Sequence, residues 1–177
     1  MFPDRTAEQL AQLSDGRHDA EARRAALLRQ SSGPATLPAE WLPILAGVPV
    51  FQALSKRHLR RVAHLAELRR FRLDAQVVQI GGKGDAFYVV LEGEAHVTTP
   101  DGHMKVLRAG DYFGELALFD GAPRAARVTA GPGLAAARIP RTAFLDLLKK
   151  EPDIAFGITK GLVAIVRESL PAPRRNT

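Results

Sequence analysis

The stretch VVQIGGKGDAFYVVLEGEAHVTTPDGHMKVL, from Val77 to Leu107, decides the fold. Runs rich in β-branched and aromatic residues alternate in it with turn dipeptides. The runs are Val77-Val78-Gln79-Ile80, Phe87-Tyr88-Val89-Val90-Leu91, Ala95-His96-Val97-Thr98-Thr99 and Met104-Lys105-Val106-Leu107, and the breaks are Gly81-Gly82, Gly84-Asp85, Glu92-Gly93 and Asp101-Gly102. Branched and aromatic side chains fit a pleated surface, and Gly and Asp supply the backbone angles that turns demand. Asp101-Gly102 between two such runs is the strongest single hairpin signal. The pattern extends outward to Phe71-Arg72-Leu73 on one side and to Ala126-Arg127-Val128-Thr129 and Ala136-Ala137-Arg138-Ile139 on the other, with further breaks at Gly110-Asp111 and Gly131-Pro132-Gly133. Many short strands at near-regular spacing predict an all-β sandwich or barrel.

Helical patterns flank this region. Phe51, Leu54, Leu59, Val62, Leu65, Ala66 and Leu68 recur at spacings of three and four, with Ser55 placed to cap. After the strands, Arg141 to Leu148 reads as a short helix with Phe144, Leu147 and Leu148 on one side, and Pro152 breaks it. Ile154, Ile158, Leu162, Ile165 and Ser169 then mark a stripe from Asp153 to Leu170. That stripe could also pair two copies of the helix in a homodimer. The predicted organisation is an N-terminal helical arm and linker over 1–40, the β region with its leading helix over 41–140, C-terminal helices over 141–170, and a disordered tail over 171–177.

Composition narrows the function classes. The chain has 177 residues, 46% of them hydrophobic and 25% charged, enough for a buried core. It has no cysteine, which excludes disulfides, thiolate metal sites and cysteine nucleophiles. The longest uncharged stretch, Trp41 to Ser55, is too short to span a membrane, and MFPDRTAEQL lacks the pattern of a signal peptide. A cytoplasmic chain is expected. The net charge of +6 comes from one segment: Lys56, Arg57, Arg60, Arg61, Arg69, Arg70 and Arg72 face Glu67 alone, and the remainder balances. The preferred reading is the solvated side of an amphipathic helix, with contact to a phosphate backbone or an anionic surface as the alternative.

The segment Gly110-Asp111-Tyr112-Phe113-Gly114-Glu115-Leu116-Ala117-Leu118-Phe119-Asp120-Gly121-Ala122-Pro123-Arg124-Ala125-Ala126-Arg127-Val128 carries the chemistry. Gly114 permits close approach of backbone to a ligand, and Glu115 opens an apolar stretch long enough for one helical turn. Amides exposed at the start of such a turn favour an anion. Arg124 follows a proline turn and opens the next strand, so a rigid element holds a guanidinium that can grip two phosphate oxygens. A carboxylate, an arginine and free amides suit a ligand bearing hydroxyl and phosphate groups. Tyr112 and Phe113 read as core or pocket wall. Lys83 reads as a loop charge, and Arg127 and Arg138 as solvent-facing strand residues. His96 and His103 could face each other across the hairpin but make a poor metal site, and no metal is expected. No catalytic constellation stands out, so the chain is not expected to be an enzyme.

FGELALFDGAPRAARVTA, Phe113 to Ala130, resembles the phosphate-binding cassette of cyclic-nucleotide-binding domains, above all those of protein kinase A regulatory subunits and more distantly those of bacterial catabolite activator proteins. The resemblance extends upstream through GGKGDAFYVVLEGEAHV and covers roughly Val50 to Leu170. It implies a mainly β fold with flanking helices: an eight-stranded jelly roll with the cassette inserted. It also implies that Glu115 accepts from the ribose 2′-hydroxyl, that Arg124 pairs with the cyclic phosphodiester, and that the amides of Gly114, Leu116, Ala117 and Ala125 donate to ribose or phosphate oxygens. Relatives selective for cGMP carry Thr or Ser where Ala125 stands, so cAMP is the expected ligand and cGMP the lesser one. Arg127 and Asp74 depart from the family pattern without removing a cassette contact. The resemblance implies a non-catalytic cAMP sensor that repacks its C-terminal helix to regulate an unidentified protein effector. The alternative is a ligand-free module used for dimerisation or protein interaction, in which Glu115 and Arg124 pair with each other. No DNA-binding module is expected within the 38 residues after Ile139.

Overall fold

A computed structural model describes residues 37–169. Its strands are β1 (Glu67–Arg70), β2 (Gln76–Val78), β3 (Ala86–Glu92), β4 (Ala95–Thr98), β5 (Met104–Leu107), β6 (Tyr112–Phe113), β7 (Arg127–Ala130) and β8 (Ala135–Pro140). They form two antiparallel four-stranded sheets, ordered β1-β8-β3-β6 and β2-β7-β4-β5. Helices α1 (Leu42–Gly47) and α2 (Lys56–Leu65) precede the sheets, α3 (Glu115–Phe119) interrupts them, and α4 (Arg141–Lys150) and α5 (Pro152–Ser169) follow. This is the expected jelly roll with a helical insertion. The predicted tail and all but the last few residues of the N-terminal arm lie outside the described residues.

β3 explains the longest apolar run. It is buried on both faces, which a strand with alternating polarity could not be. Phe87, Val89 and Leu91 face the helices and join Trp41, Phe51, Val62, Phe144, Ile154 and Ile158 in one core. Ala86, Tyr88 and Val90 face the other sheet and join Val78, Leu107 and Val128 from it, together with Phe113 and Leu134, in a second core. The Asp101-Gly102 hairpin joins β4 to β5, with Thr98 opposite Met104, Ala95 opposite Leu107 and Gly102 at φ 85°. The Thr99 hydroxyl, aided by His103, holds the Asp101 carboxyl below its ordinary value. Gly93, at φ 69°, turns β3 into β4 so close to Pro132 and Gly133 that a Cβ would collide with their backbone.

Several expectations need correction. The helical stripe does not reach Leu68: α2 ends at Leu65, and the extended backbone at Ala66 leads into β1, because pairing of Glu67–Arg70 with β8 overrides the local spacing. Phe71-Arg72-Leu73 is therefore not a strand. It precedes a turn in which Asp74 takes φ 61°, a conformation its short polar side chain tolerates, and donates its amide to Ala130 O at 2.8 Å. Val77 to Ile80 shifts to Gln76–Val78, leaving Ile80 44% exposed. β6 is two residues long, too short to show a period. His96 and His103 do not meet: His96 lies opposite Val106 and 3.5 Å from Glu94, while His103 contacts Asp101 at 2.9 Å. The α5 stripe does not lie free to pair two helices, since Ile154 and Ile158 are buried and Leu162 and Ile165 pack against the same core.

The basic segment behaves as a solvated face. Ser55 caps α2 by accepting from the His58 amide at 3.2 Å, and Leu59, Val62 and Ala63 turn inward while Lys56, Arg57 and Arg60 are exposed. Arg61 pairs with Glu151 at 2.7 Å, Arg69 with Glu67 at 2.7 Å and Arg70 with Glu92 at 2.9 Å, so part of the positive charge is already neutralised. Among the described residues no helix is long and apolar enough to cross a membrane.

Candidate functional site

The site forms where the chain leaves β6, makes one short helix and returns as β7. Gly114 closes β6 at φ 82°, a conformation costly for other residues. Glu115 starts α3, and Leu116 and Ala117 lie within it. Leu118 is buried, and Phe119 packs edge-on against Phe144 of α4 with ring centroids 6.1 Å apart. The return passes Gly121 and Pro123 and delivers Arg124 and Ala125 to the start of β7. Gly114, Glu115, Arg124 and Ala125 line one cavity of about 400 Å³, a size suited to a small organic ligand. Tyr112 and Phe113 line it too, as expected; Phe113 stacks on Tyr88 at 4.9 Å.

Arg124 is the centre of the site. It is 7% exposed, and no other charged or polar side chain among the described residues is buried to that degree. Its backbone is clasped from both sides: its amide donates to Gly82 O at 2.9 Å and its carbonyl accepts from Gly81 at 2.8 Å. Its Nε donates to Lys83 O at 3.2 Å, and its Nη2 donates to Ala86 O at 2.5 Å and meets Asp85 Oδ1 at 3.5 Å. Its Nη1 is buried without a partner and lies where a side chain on Gly114 would stand. A buried charged donor left unmatched is expensive, and the asymmetry marks a place where an acceptor belongs. Its carboxylate neighbour is Asp85 rather than Glu115, so the self-paired arrangement of the ligand-free alternative is not the one present.

Sequence reasoning missed Asp85 and the Gly81-Gly82-Lys83 backbone, which position Arg124 from about forty residues upstream. The only signal was Gly84-Asp85 beside a glycine pair, which reads equally well as a turn. Lys83 contributes its carbonyl; its side chain is exposed, as a loop charge should be. Arg127 is exposed, as expected. Arg138 is not solvent-facing: it bridges Asp85 at 2.9 Å and Glu67 at 3.3 Å. Burial opposes its charge, but Tyr88, Asp85 and Glu67 outweigh that and raise its pKa further. Among the described residues no group of His, Asp and Glu is arranged to hold a metal ion.

The model for the cyclic nucleotide-binding domain matches residues 68–151, which contain the cavity and the cassette. This part of the chain belongs to the cyclic nucleotide-binding domain family. A cAMP-dependent protein kinase regulatory subunit from Aspergillus fumigatus is 37% identical over 112 residues, covering 62% of this chain and 27% of that one. A cyclic nucleotide-gated potassium channel from Rhizobium etli is 34% identical over 117 residues, covering 66% of this chain and 33% of the channel. Among solved structures, the regulatory domain of Toxoplasma gondii PKA with cAMP superimposes with a TM-score of 0.59 at 28% identity, covering 75% of this chain and 50% of that one. Catabolite activator protein from Thermus thermophilus, at 24% identity and a TM-score of 0.57 over 68% of this chain and 59% of its own, shares the fold. The chain spans about a quarter to a third of the length of these two curated relatives. The cyclic nucleotide-binding family and the kinase subunits are regulatory, in keeping with the expectation that this domain does no catalysis.

Proposed function

We propose that the chain is a cyclic-nucleotide sensor that binds cAMP in the cavity beside Arg124. The observation that carries this reading is the buried guanidinium of Arg124, a residue that lines the cavity and whose Nη1 has no partner. A cyclic phosphodiester bears the paired anionic oxygens that a guanidinium fork matches, and its charge compensates a cation that Asp85 neutralises only weakly at 3.5 Å. Glu115 lines the same cavity and accepts from the ribose 2′-hydroxyl; the amides of Gly114, Leu116, Ala117 and Ala125 donate to the remaining oxygens. Ala125 offers no hydroxyl to a guanine amino group, which favours cAMP over cGMP at that contact.

The signal leaves through α4 and α5 to a protein effector. α3 rests on Phe144, Arg141 donates from Nη2 to Phe119 O at 3.3 Å, and the Arg141 amide donates to Asp85 O at 2.8 Å. Any displacement of the cassette is therefore felt at the first turn of α4. The test is thermal unfolding of the purified chain with and without nucleotide. Saturation at a hundred times Kd stabilises the folded state by about 2.7 kcal/mol and raises the midpoint measurably. An unchanged midpoint in millimolar cAMP and cGMP refutes the reading and returns the ligand-free module.

A further inference from the structure

Helix α2 carries positive charge that the rest of the described fold does not match. Its inner face is Leu59, Val62 and Ala63, and its outer face is Lys56, Arg57, Arg60, Arg61 and His64, all exposed. Arg61 is held at 2.7 Å by Glu151, the residue that follows α4. Among the described residues no carboxylate pairs with Lys56, Arg57 or Arg60. Their placement also opposes the helix itself. Lys56 and Arg57 occupy the first turn, where the helix dipole favours acidic side chains, and no acidic residue stands there. Ser55 satisfies the His58 amide but brings no charge. The isolated chain therefore gives up stability at this turn, and an acidic group from outside restores it. Lys150, exposed beside Glu151, extends the positive surface to the junction of α2 and α4.

Spacing and chemistry choose the partner. Arg57, Arg60, Arg61 and His64 stand at i, i+3, i+4 and i+7, so cations recur once per turn, about 5.4 Å apart along the axis. Acidic residues four apart on a second helix recur at nearly the same interval, and an arginine fork grips a carboxylate through two parallel hydrogen bonds. Arg61 with Glu151 shows that a carboxylate seats on this face. A bilayer fits less well, because the exposed large apolar side chains of the described residues all lie outside α2 and nothing on this face enters the acyl layer. Nucleic acid fits less well too: α2 has no aromatic side chain to stack on a base, and three free cations neutralise few phosphates. We propose that the outer face of α2 is a docking surface for an acidic helix of a partner protein. The inference does not depend on which ligand, if any, occupies the cavity.

The experiment is fluorescence anisotropy of the full chain at low salt with three labelled probes. These are an alanine-rich peptide with glutamate at every fourth position, a peptide of the same composition and helicity whose glutamates are spread round the helix, and a DNA duplex; phosphatidylserine vesicles are tested by co-sedimentation. Arg57→Gln/Arg60→Gln is compared with Arg127→Gln/Arg167→Gln, which removes the same charge from exposed positions outside α2. The expected result is that the wild-type chain prefers the patterned peptide to the rearranged one by about fivefold or more. The α2 variant loses about fivefold or more for the patterned peptide, as for two exposed ion pairs, and the control loses less than about twofold. Thermal unfolding of the α2 variant gives the wild-type midpoint or a higher one, because a first-turn cation has gone. Equal losses in the two variants reveal attraction by net charge alone and overturn the inference, as does equal affinity for the two peptides. Tighter binding of the duplex or the vesicles, lost in the α2 variant, gives the face to a different partner and overturns it too. So do a lowered midpoint, which shows that the cations serve the fold, and the absence of binding to any probe.

Discussion

Replacing Arg124 by alanine removes a side chain that, alone among the described residues, belongs to the cavity lining and is buried with an unmatched donor. The backbone clasp survives, because the Gly81 and Gly82 contacts use only the main chain of residue 124. The hydrogen bonds from Nε to Lys83 O and from Nη2 to Ala86 O are lost, at about 1 kcal/mol each in net stability. Part of that is returned, because a guanidinium compensated only at 3.5 Å is no longer held out of water. The unliganded variant therefore unfolds near the wild-type midpoint. Binding behaves differently. The phosphate would enter a pocket without its counter-charge, and removing one partner of a buried charge pair costs about 3–5 kcal/mol, or about two to three and a half decades in Kd. Calorimetry with cAMP on Arg124→Ala reads this directly, and thermal unfolding of the same sample separates lost binding from lost fold. Arg124→Lys also loses most of the affinity, because an ammonium cannot reproduce the planar fork. Near-native affinity in a folded Arg124→Ala would refute the assignment of the phosphate to this side chain.

Two other substitutions test the surroundings. Gly114→Ala adds a Cβ at φ 82° that meets Arg124 Nη1 and comes within 3.1 Å of Ala86 O, so it should abolish cAMP binding in calorimetry while circular dichroism still reports a folded jelly roll. Phe144→Ala, at a residue 1% exposed and wedged between Phe119 and Phe51, should cost about 3–5 kcal/mol in denaturant unfolding, whereas the milder Phe144→Leu should keep cAMP affinity but weaken the ligand-dependent change in hydrogen exchange along α5.

What the sequence reveals of this protein follows the range of the forces involved. Local rules decide the Asp101-Gly102 hairpin, the Ser55 cap and the two C-terminal helices, and each lies where the residues indicate. β1 is misplaced because its pairing with β8, some seventy residues away, outweighs a helical spacing that happens to include Leu68. In the site, the residues from Gly114 to Ala125 are legible because they are contiguous, and a contiguous pattern can be recognised as a resemblance. Asp85 is not legible, because its value lies in a contact with a residue 39 positions on.

Asp85 explains why the cavity and the helices need not be separate systems. Its side chain touches Arg124 and Arg138, and its carbonyl receives the first amide of α4 from Arg141. The Arg141 guanidinium, in turn, lies under Gly121 and donates to the end of α3. On the proposed reading, a phosphate arriving at Arg124 competes with Asp85 for the same guanidinium, and the contact at 3.5 Å is the one most easily surrendered. The 2.9 Å contact with Arg138 then becomes the dominant constraint on the carboxylate. A shift of Asp85 toward Arg138 moves the acceptor of the α4 amide, while movement of α3 displaces the carbonyl that holds Arg141. Both ends of the cassette therefore act on residue 141, and a small ligand can bias the helix that begins there without touching it.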